Sequence, residues 1–331
     1  MLNNICMLET NKLNIGYKTK KKETCIHSNL NLYVVKGEFV CLIGPNGAGK
    51  STLIRTLCGL QEPLSGKTIV NNKIIEKSSN NEIAKLISVV LTDKPNISGM
   101  TVFNVVALGR FPYTSWLGNL SNEDNKIILD SLDLVGMKNF ANKQINQLSD
   151  GERQRVMIAK ALSQDTPLII LDEPTAHLDL PNRVEVLQLL RTLTHKTKKS
   201  VILSTHELDL ALQAADTIWL MPKSDEIIIG SPEDLVLDGS LENIFHNKSI
   251  EFDKLAGNFR IQFNKTKDIK LIGKGINKYW TERALLRKGF NINNDCPVIV
   301  EIIDNYWSLK KDNKTICCKS ITELLYNLGT L

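Results

Sequence analysis

No apolar run in this 331-residue sequence approaches the ~20 residues that a membrane-spanning helix requires. That excludes a chain crossing a bilayer on helices of its own. The seven cysteines are scattered and include no C-x-x-C pair, which argues for reduced thiols over disulfides or a thiolate zinc site. Met1-Leu2-Asn3-Asn4 has neither a basic region nor a long apolar core behind it, so no secretory signal is expected. Internal repeats and low-complexity tracts are also missing. Excess charge is small: the net +5 falls after residue 239, where fifteen Lys and Arg face ten Asp and Glu. A mild excess spread along a tail gives no reason to expect nucleic acid. The basic runs Lys18-Thr19-Lys20-Lys21-Lys22 and Lys196-Thr197-Lys198-Lys199 lie between strand or helix patterns and read as solvated turns, with an anionic membrane surface as the sharper alternative.

What is present is the composition of a globular protein, 42% hydrophobic and 23% charged, long enough for two domains. Gly44-Pro45-Asn46-Gly47-Ala48-Gly49-Lys50-Ser51 fits the phosphate-binding pattern G-x-x-x-x-G-K-[ST] without a gap. It follows Phe39-Val40-Cys41-Leu42-Ile43, a buried-strand run, and precedes Thr52 to Cys58, a helix pattern stopped by Gly59. Glycines let backbone N–H groups turn inward around a phosphate, and the helix start adds its positive dipole end. Lys50 would reach the β- and γ-phosphates, and Ser51 would ligate Mg²⁺.

Leu168-Ile169-Ile170-Leu171 suits a central parallel strand covered on both faces, and it ends in Asp172-Glu173. There Asp172 can hold Mg²⁺, and Glu173 can orient or deprotonate an attacking water. An Asp-Glu-Pro turn that merely caps a strand is the bland alternative, and the phosphate loop weighs against it.

With these landmarks the chain resembles an ATP-binding-cassette (ABC) ATPase over roughly residues 8–235. Leu148-Ser149-Asp150-Gly151-Glu152 is similar to the family signature LSGGQ, Ala176-His177-Leu178-Asp179 to the D-loop, and Ser204-Thr205-His206 to the switch-histidine segment. Tyr17 stands ahead of the first core strands, where the family stacks an aromatic on adenine. The resemblance implies ATP bound by Tyr17, Asn46, Gly47, Gly49, Lys50, Ser51 and Thr52, with Glu173 and His206 catalytic. It implies Ser149, Gly151 and Glu152 reaching the ATP of a second copy, and Asp179 acting in the D-loop. Ser149 and Glu152 also read as a capping box opening a helix from Gly151, a role that does not compete with anion binding.

Two departures stand out. The Q-loop glutamine position falls on Thr92, whose hydroxyl is too short to reach Mg²⁺ as a glutamine would; it can act through water, or Asp93 can contribute. Asp150 replaces a signature glycine, and a carboxylate aimed at a γ-phosphate would repel it. Asp150 is therefore expected to point away, leaving Ser149 Oγ and the Ser149 and Gly151 N–H groups to bind.

The expected fold is α/β, a P-loop NTPase of ABC type. Residues 1–239 form the ATPase domain, with short antiparallel strands over 8–75 and a helical insert at about 93–165; residues 240–331 form a small α+β domain. Pro181 suits a first helical turn and Gly289 a C-cap; a turn is expected at Asp312-Asn313. Ala107 to Tyr113, with Trp116-Leu117-Gly118, and Thr205 to Leu212 resemble importers of iron-siderophores, haem and vitamin B12. That resemblance implies a homodimer on the cytoplasmic face of the membrane, under a two-subunit permease fed by an extracytoplasmic substrate-binding protein. A soluble ABC ATPase acting on ribosomes, DNA or Fe–S assembly, and a regulatory nucleotide-binding protein, are the other readings.

Overall fold

A computed structural model describes residues 6–20, 22–92, 99–114, 118–176, 178–224, 226–245, 250–312 and 314–329. Asp93, Trp116, Leu117, His177 and Asn313, named in the sequence reading, lie outside the described residues. The chain divides into two compact units, Met1–Phe245 with Lys254–Asn258, and His246–Asp253 with Phe259–Leu331. No described helix is long and apolar enough to cross a membrane.

The first unit opens with β1 (Cys6–Lys18), β2 (Glu23–Leu30) and β3 (Tyr33–Val35), followed by β4 (Phe39–Ile43), α1 (Lys50–Leu57), β5 (Ser65–Val70) and β6 (Lys73–Ile74). An antiparallel sheet runs β2-β1-β5-β6, with β3 also on β1. Instead of only short strands, this region holds β1, which is 13 residues long. Its register shifts at Leu13/Ile15/Gly16 and Asn11/Asn14, and such bulges let one strand bend to serve three partners. Polar Asn11, Lys12 and Asn14 break its alternation, which is why the length was hidden. Tyr17 lies near the end of β1, ahead of β4, the first strand of the second sheet.

Next come α2 (Asn80–Ala84), β7 (Ile87–Val90), α3 (Val102–Ala107), α4 (Asn122–Leu134), α5 (Asp150–Ser163), β8 (Leu168–Asp172), α6 (Leu180–Thr197), β9 (Ser200–Ser204), α7 (Leu208–Ala214), β10 (Thr217–Leu220), β11 (Ile228–Gly230), α8 (Pro232–Leu237) and α9 (Ser240–Phe245). The second sheet is ordered β11-β10-β4-β9-β8-β7, parallel except at β11. Every residue of β4, β8 and β9 is buried, as strands covered on both faces demand. Leu53, Ile54 and Leu57 of α1 are fully buried in the same core, each contributing about 1.5–3 kcal/mol. Register sets Leu42 beside Ser204, Ser204 beside Asp172, and Leu171 beside Val90. The C-terminal ends of four strands therefore come level at one edge, where open α/β sheets bind ligands.

The helical insert is keyed by Arg110. Its Nε donates to Asp124 Oδ1 at 2.7 Å and its Nη1 to the Ser163 carbonyl at 2.9 Å, while the Tyr113 ring lies 4.1 Å from the guanidinium. Gly109 admits α5 here: a Cβ would sit 2.3 Å from the Lys160 carbonyl oxygen. Hydrogen bonds from Ser121 and Arg110 hold the Asp124 carboxyl down at about 2.

The second unit contains β12 (Ile250–Asp253), β13 (Asn258–Ile261) from its second residue on, β14 (Lys267–Ile272), α10 (Gly275–Arg287), β15 (Phe290–Ile292), β16 (Ile299–Ile303), β17 (Tyr306–Lys311), β18 (Lys314–Cys318) and α11 (Ile321–Gly329). Its main sheet runs β15-β14-β16-β17-β18, parallel at β15-β14-β16 and antiparallel beyond. Ile269, Leu271, Leu285, Val300, Leu309 and Leu324 form its core. Gly289, at φ 82, closes α10.

Removing Asp124 leaves a buried guanidinium without its counter-charge, so Asp124→Ala should cost about 3 kcal/mol at pH 7. The folded pKa is depressed, so the charge stabilises fully above the ordinary value near 4 and ceases to as pH falls toward about 2. The gap between variant and parent should close over that window in urea titrations followed by circular dichroism. A gap independent of pH would show that the carboxylate charge is not what holds Arg110.

Candidate functional site

The phosphate-type loop leaves β4 at Gly44, where a Cβ would lie 2.2 Å from the Met221 carbonyl oxygen. Gly47 and Gly49 take φ of 80 and 103, which side chains resist. Gly49 caps α1 without a side-chain bond, and among the described residues no side chain bonds to the first-turn N–H groups, which can take an anion. Lys50 is 6% exposed, and its Nζ donates to the Gly44 carbonyl at 2.8 Å and the Pro45 carbonyl at 3.3 Å. Burial pushes its pKa down, while Glu173 and Asp172 pull it up. Ser51 is exposed; Thr52 is buried, with its Oγ1 2.8 Å from Tyr17 Oη. The Tyr17 ring is half-exposed, open to a planar group.

Across the edge, Asp172 is 4% exposed and its Oδ1 accepts from Ser204 Oγ at 2.6 Å. The same hydroxyl accepts from the Glu173 N–H at 2.9 Å. Glu173 adopts φ 49, a strained backbone for a residue of this kind that costs about 1–3 kcal/mol. Its carboxylate pairs with His206 Nε2. Thr92, two residues past the end of β7, donates its hydroxyl to the Asp172 carbonyl at 2.8 Å. That bond ties the segment after β7 to the end of β8 and uses the hydroxyl proton, leaving the oxygen lone pairs unassigned.

The signature residues form the N-terminus of α5. Ser149 Oγ accepts from the Glu152 N–H, and Glu152 Oε2 accepts from Ser149 N–H at 2.8 Å and Ser149 Oγ at 2.9 Å. The Ser149 N–H, expected to be available to an anion, is therefore taken by Glu152, whose carboxyl these bonds hold below its usual range. Asp150 is half-exposed and pairs with Arg153 at 3.5 Å. Gly151 packs where a Cβ would meet Asn182 Oδ1 at 2.6 Å, and Asp179 caps α6 by accepting from Asn182 N–H at 3.2 Å. No hydrogen bond or ion pair among the described residues joins Ser149, Gly151 or Glu152 to the Lys50 loop. Sequence reasoning missed the role of Ser204; its only signal was a serine closing the apolar run Val201-Ile202-Leu203, and the structure shows that hydroxyl fully buried.

A glycine loop cradling Lys50 and an acid pair level with it across the same sheet edge define a P-loop nucleoside triphosphatase. Residues 27–176 match the family model of ABC transporters, and residues 265–329 that of the iron ABC transporter C-terminal domain. The chain is 37% identical over 265 residues to an uncharacterized ABC transporter ATP-binding protein of Methanocaldococcus jannaschii, covering 80% of this chain and 90% of that one. It is 37% identical over 238 residues to the iron(3+)-hydroxamate import ATP-binding protein FhuC of Bacillus subtilis, covering 72% and 87%. A dimeric ATP-binding cassette solved in a post-hydrolysis state with ADP and Pi superposes with a TM-score of 0.60 at 29% identity, covering 68% and 99%. The chain belongs to the ABC transporter ATP-binding proteins, and it is an ATPase.

Ser204→Ala should lower kcat for ATP about tenfold with ATP affinity within twofold of the parent, because the acid pair loses its shared hydroxyl while the Lys50 loop keeps its contacts. Steady-state hydrolysis and calorimetry check the two halves. An unchanged kcat would remove Ser204 from the account.

Proposed function

We propose that this chain is the ATP-hydrolysing subunit of an importer of an iron-siderophore, haem or cobalamin-type chelate. Two copies sit on the cytoplasmic face under a separate two-subunit permease, which an extracytoplasmic binding protein supplies. The observation that carries this reading is the combination in one chain of a cassette akin to an iron(3+)-hydroxamate import protein and a tail matching the iron ABC transporter C-terminal domain. Residues 1–239 are the motor in this account and residues 240–331 an accessory domain.

Within the motor, the N–H groups of Gly47, Gly49, Lys50, Ser51 and Thr52, with Asn46 at the loop tip, receive the phosphates, and Tyr17 receives the adenine. Lys50 brings its charge to the β- and γ-phosphates. Ser51 hydroxyl and Asp172 carboxylate are hard oxygen donors that fit Mg²⁺, and Ser204 fixes the Asp172 carboxylate in one orientation. Bound there, Mg²⁺ would supply charge neutralisation on the phosphate oxygens. Glu173 orients or deprotonates the water, and His206 holds the Glu173 carboxylate in place. Ser149, Gly151 and Glu152 serve the ATP held by the partner copy, and Asp179 steadies the signature turn through Asn182.

Glu173→Gln should abolish turnover and preserve ATP binding, since only the water-directing carboxylate is lost. More than a tenth of parental kcat would sink that assignment. Affinity purification from native membranes tests the transport reading. A polytopic membrane protein should accompany the chain, whereas recovery with ribosomes or with nothing would contradict it.

A further inference from the structure

His27 is a titratable side chain that stands apart from the Asp172-Glu173 acid pair and its partners. It lies on β2, in the antiparallel sheet, yet it is only 5% exposed and its Nε2 stands 3.0 Å from the Ala48 carbonyl oxygen, inside the phosphate loop. A carbonyl only accepts, so Nε2 carries the proton and donates. The Ala48 carbonyl shares its peptide with the Gly49 N–H. In a planar trans peptide these two groups point in opposite directions. Holding the carbonyl toward β2 therefore turns the Gly49 N–H away from β2. No acceptor among the described residues takes that N–H.

The surroundings of the same peptide leave no room for a side chain. Gly49 sits at φ 103, and a Cβ there would approach Ile26 Cγ2, one residue before His27, to 2.7 Å. A glycine this permissive can rotate its peptide freely unless something fixes it. Ala48 supplies no polar side chain, and Gly49 caps α1 without a side-chain bond. The imidazole is the one side chain among the described residues that bonds to the Ala48-Gly49 peptide.

We propose that His27 is a positioning residue for nucleotide binding: by anchoring the Ala48 carbonyl it presents the Gly49 N–H to the phosphates of ATP. The inference rests on the reading of residues 44–51 as the phosphate cradle. It assigns the antiparallel sheet a direct hold on that cradle, besides the Tyr17 contact with Thr52.

His27→Leu keeps an apolar body of similar size and removes the donor. It should weaken ATP and ADP binding about tenfold by calorimetry and raise the KM for ATP, with kcat at saturation within about twofold. His27→Gln, whose amide can again donate to the carbonyl, should recover binding to within about threefold of the parent. Loss of packing alone would not be rescued in that way. Parental affinity in His27→Leu, or a Gln variant as weak as Leu, would overturn the proposal. Should His27→Leu fail to fold, ring ¹⁵N shifts of the parent protein decide: the Nε2–H tautomer at His27 supports the hydrogen bond, and the Nδ1–H tautomer overturns it. Lys50→Ala in the same calorimetry separates the two readings. If it too binds ATP like the parent, the cradle reading falls and this inference with it; if it loses binding while His27→Leu does not, the inference falls alone.

Discussion

The candidate site depends on the parallel register that sets Ser204 beside Asp172. Because β8 and β9 run level, one hydroxyl donates to the Asp172 carboxylate and accepts from the Glu173 N–H. A shift of one residue would turn those side chains to the opposite face of the sheet and separate the pair. The same strand ends bring Thr92 onto the Asp172 carbonyl and His206 onto Glu173. The strained backbone at Glu173 persists because it is bonded on several sides at once. Rigid packing of β4, β8 and β9 thus becomes positional accuracy at the edge where phosphoryl transfer needs it.

The signature turn has a different balance. Asp150 and Glu152 put two carboxylates beside Ser149, on a loop assigned to an anion. Arg153 answers Asp150, while Lys143 and Arg155 act on Glu152. The positive end of α5 favours these acids and an incoming phosphate alike. Glu152 holds both the N–H and the hydroxyl of Ser149, so a phosphate bound at Ser149 would compete with an existing capping box.

Much of this was legible in the sequence. The phosphate loop, the acid pair and the helix starts at Ser149 and Asp179 are local patterns, because glycine placement, capping chemistry and apolar runs act over a few residues. The length of β1 was not legible, since bulges at Asn11 to Ile15 broke its alternation. Nor were the short helices α8 and α9, which offer too few turns for a period to show. Ser204 and His27 were illegible for another reason. Their bonds span 32 and 21 residues, and only tertiary register brings those partners together. The motif from Ala107 to Tyr113 carries only a resemblance in the sequence; the structure supplies a physical reason in close helix approach at Gly109 and the buried Arg110 pair.

The central claim is that two copies complete each other's ATP sites. Ser149→Arg should block one contribution and Lys50→Ala the other, so neither variant alone should hydrolyse ATP. Mixed, the Ser149→Arg chain offers an intact Lys50 loop to the intact signature of the Lys50→Ala chain, and one composite site per mixed dimer is whole. Hydrolysis measured on the mixture should therefore return. Parental hydrolysis by Ser149→Arg alone, or inactive mixtures in which cross-linking shows mixed dimers, would contradict the account.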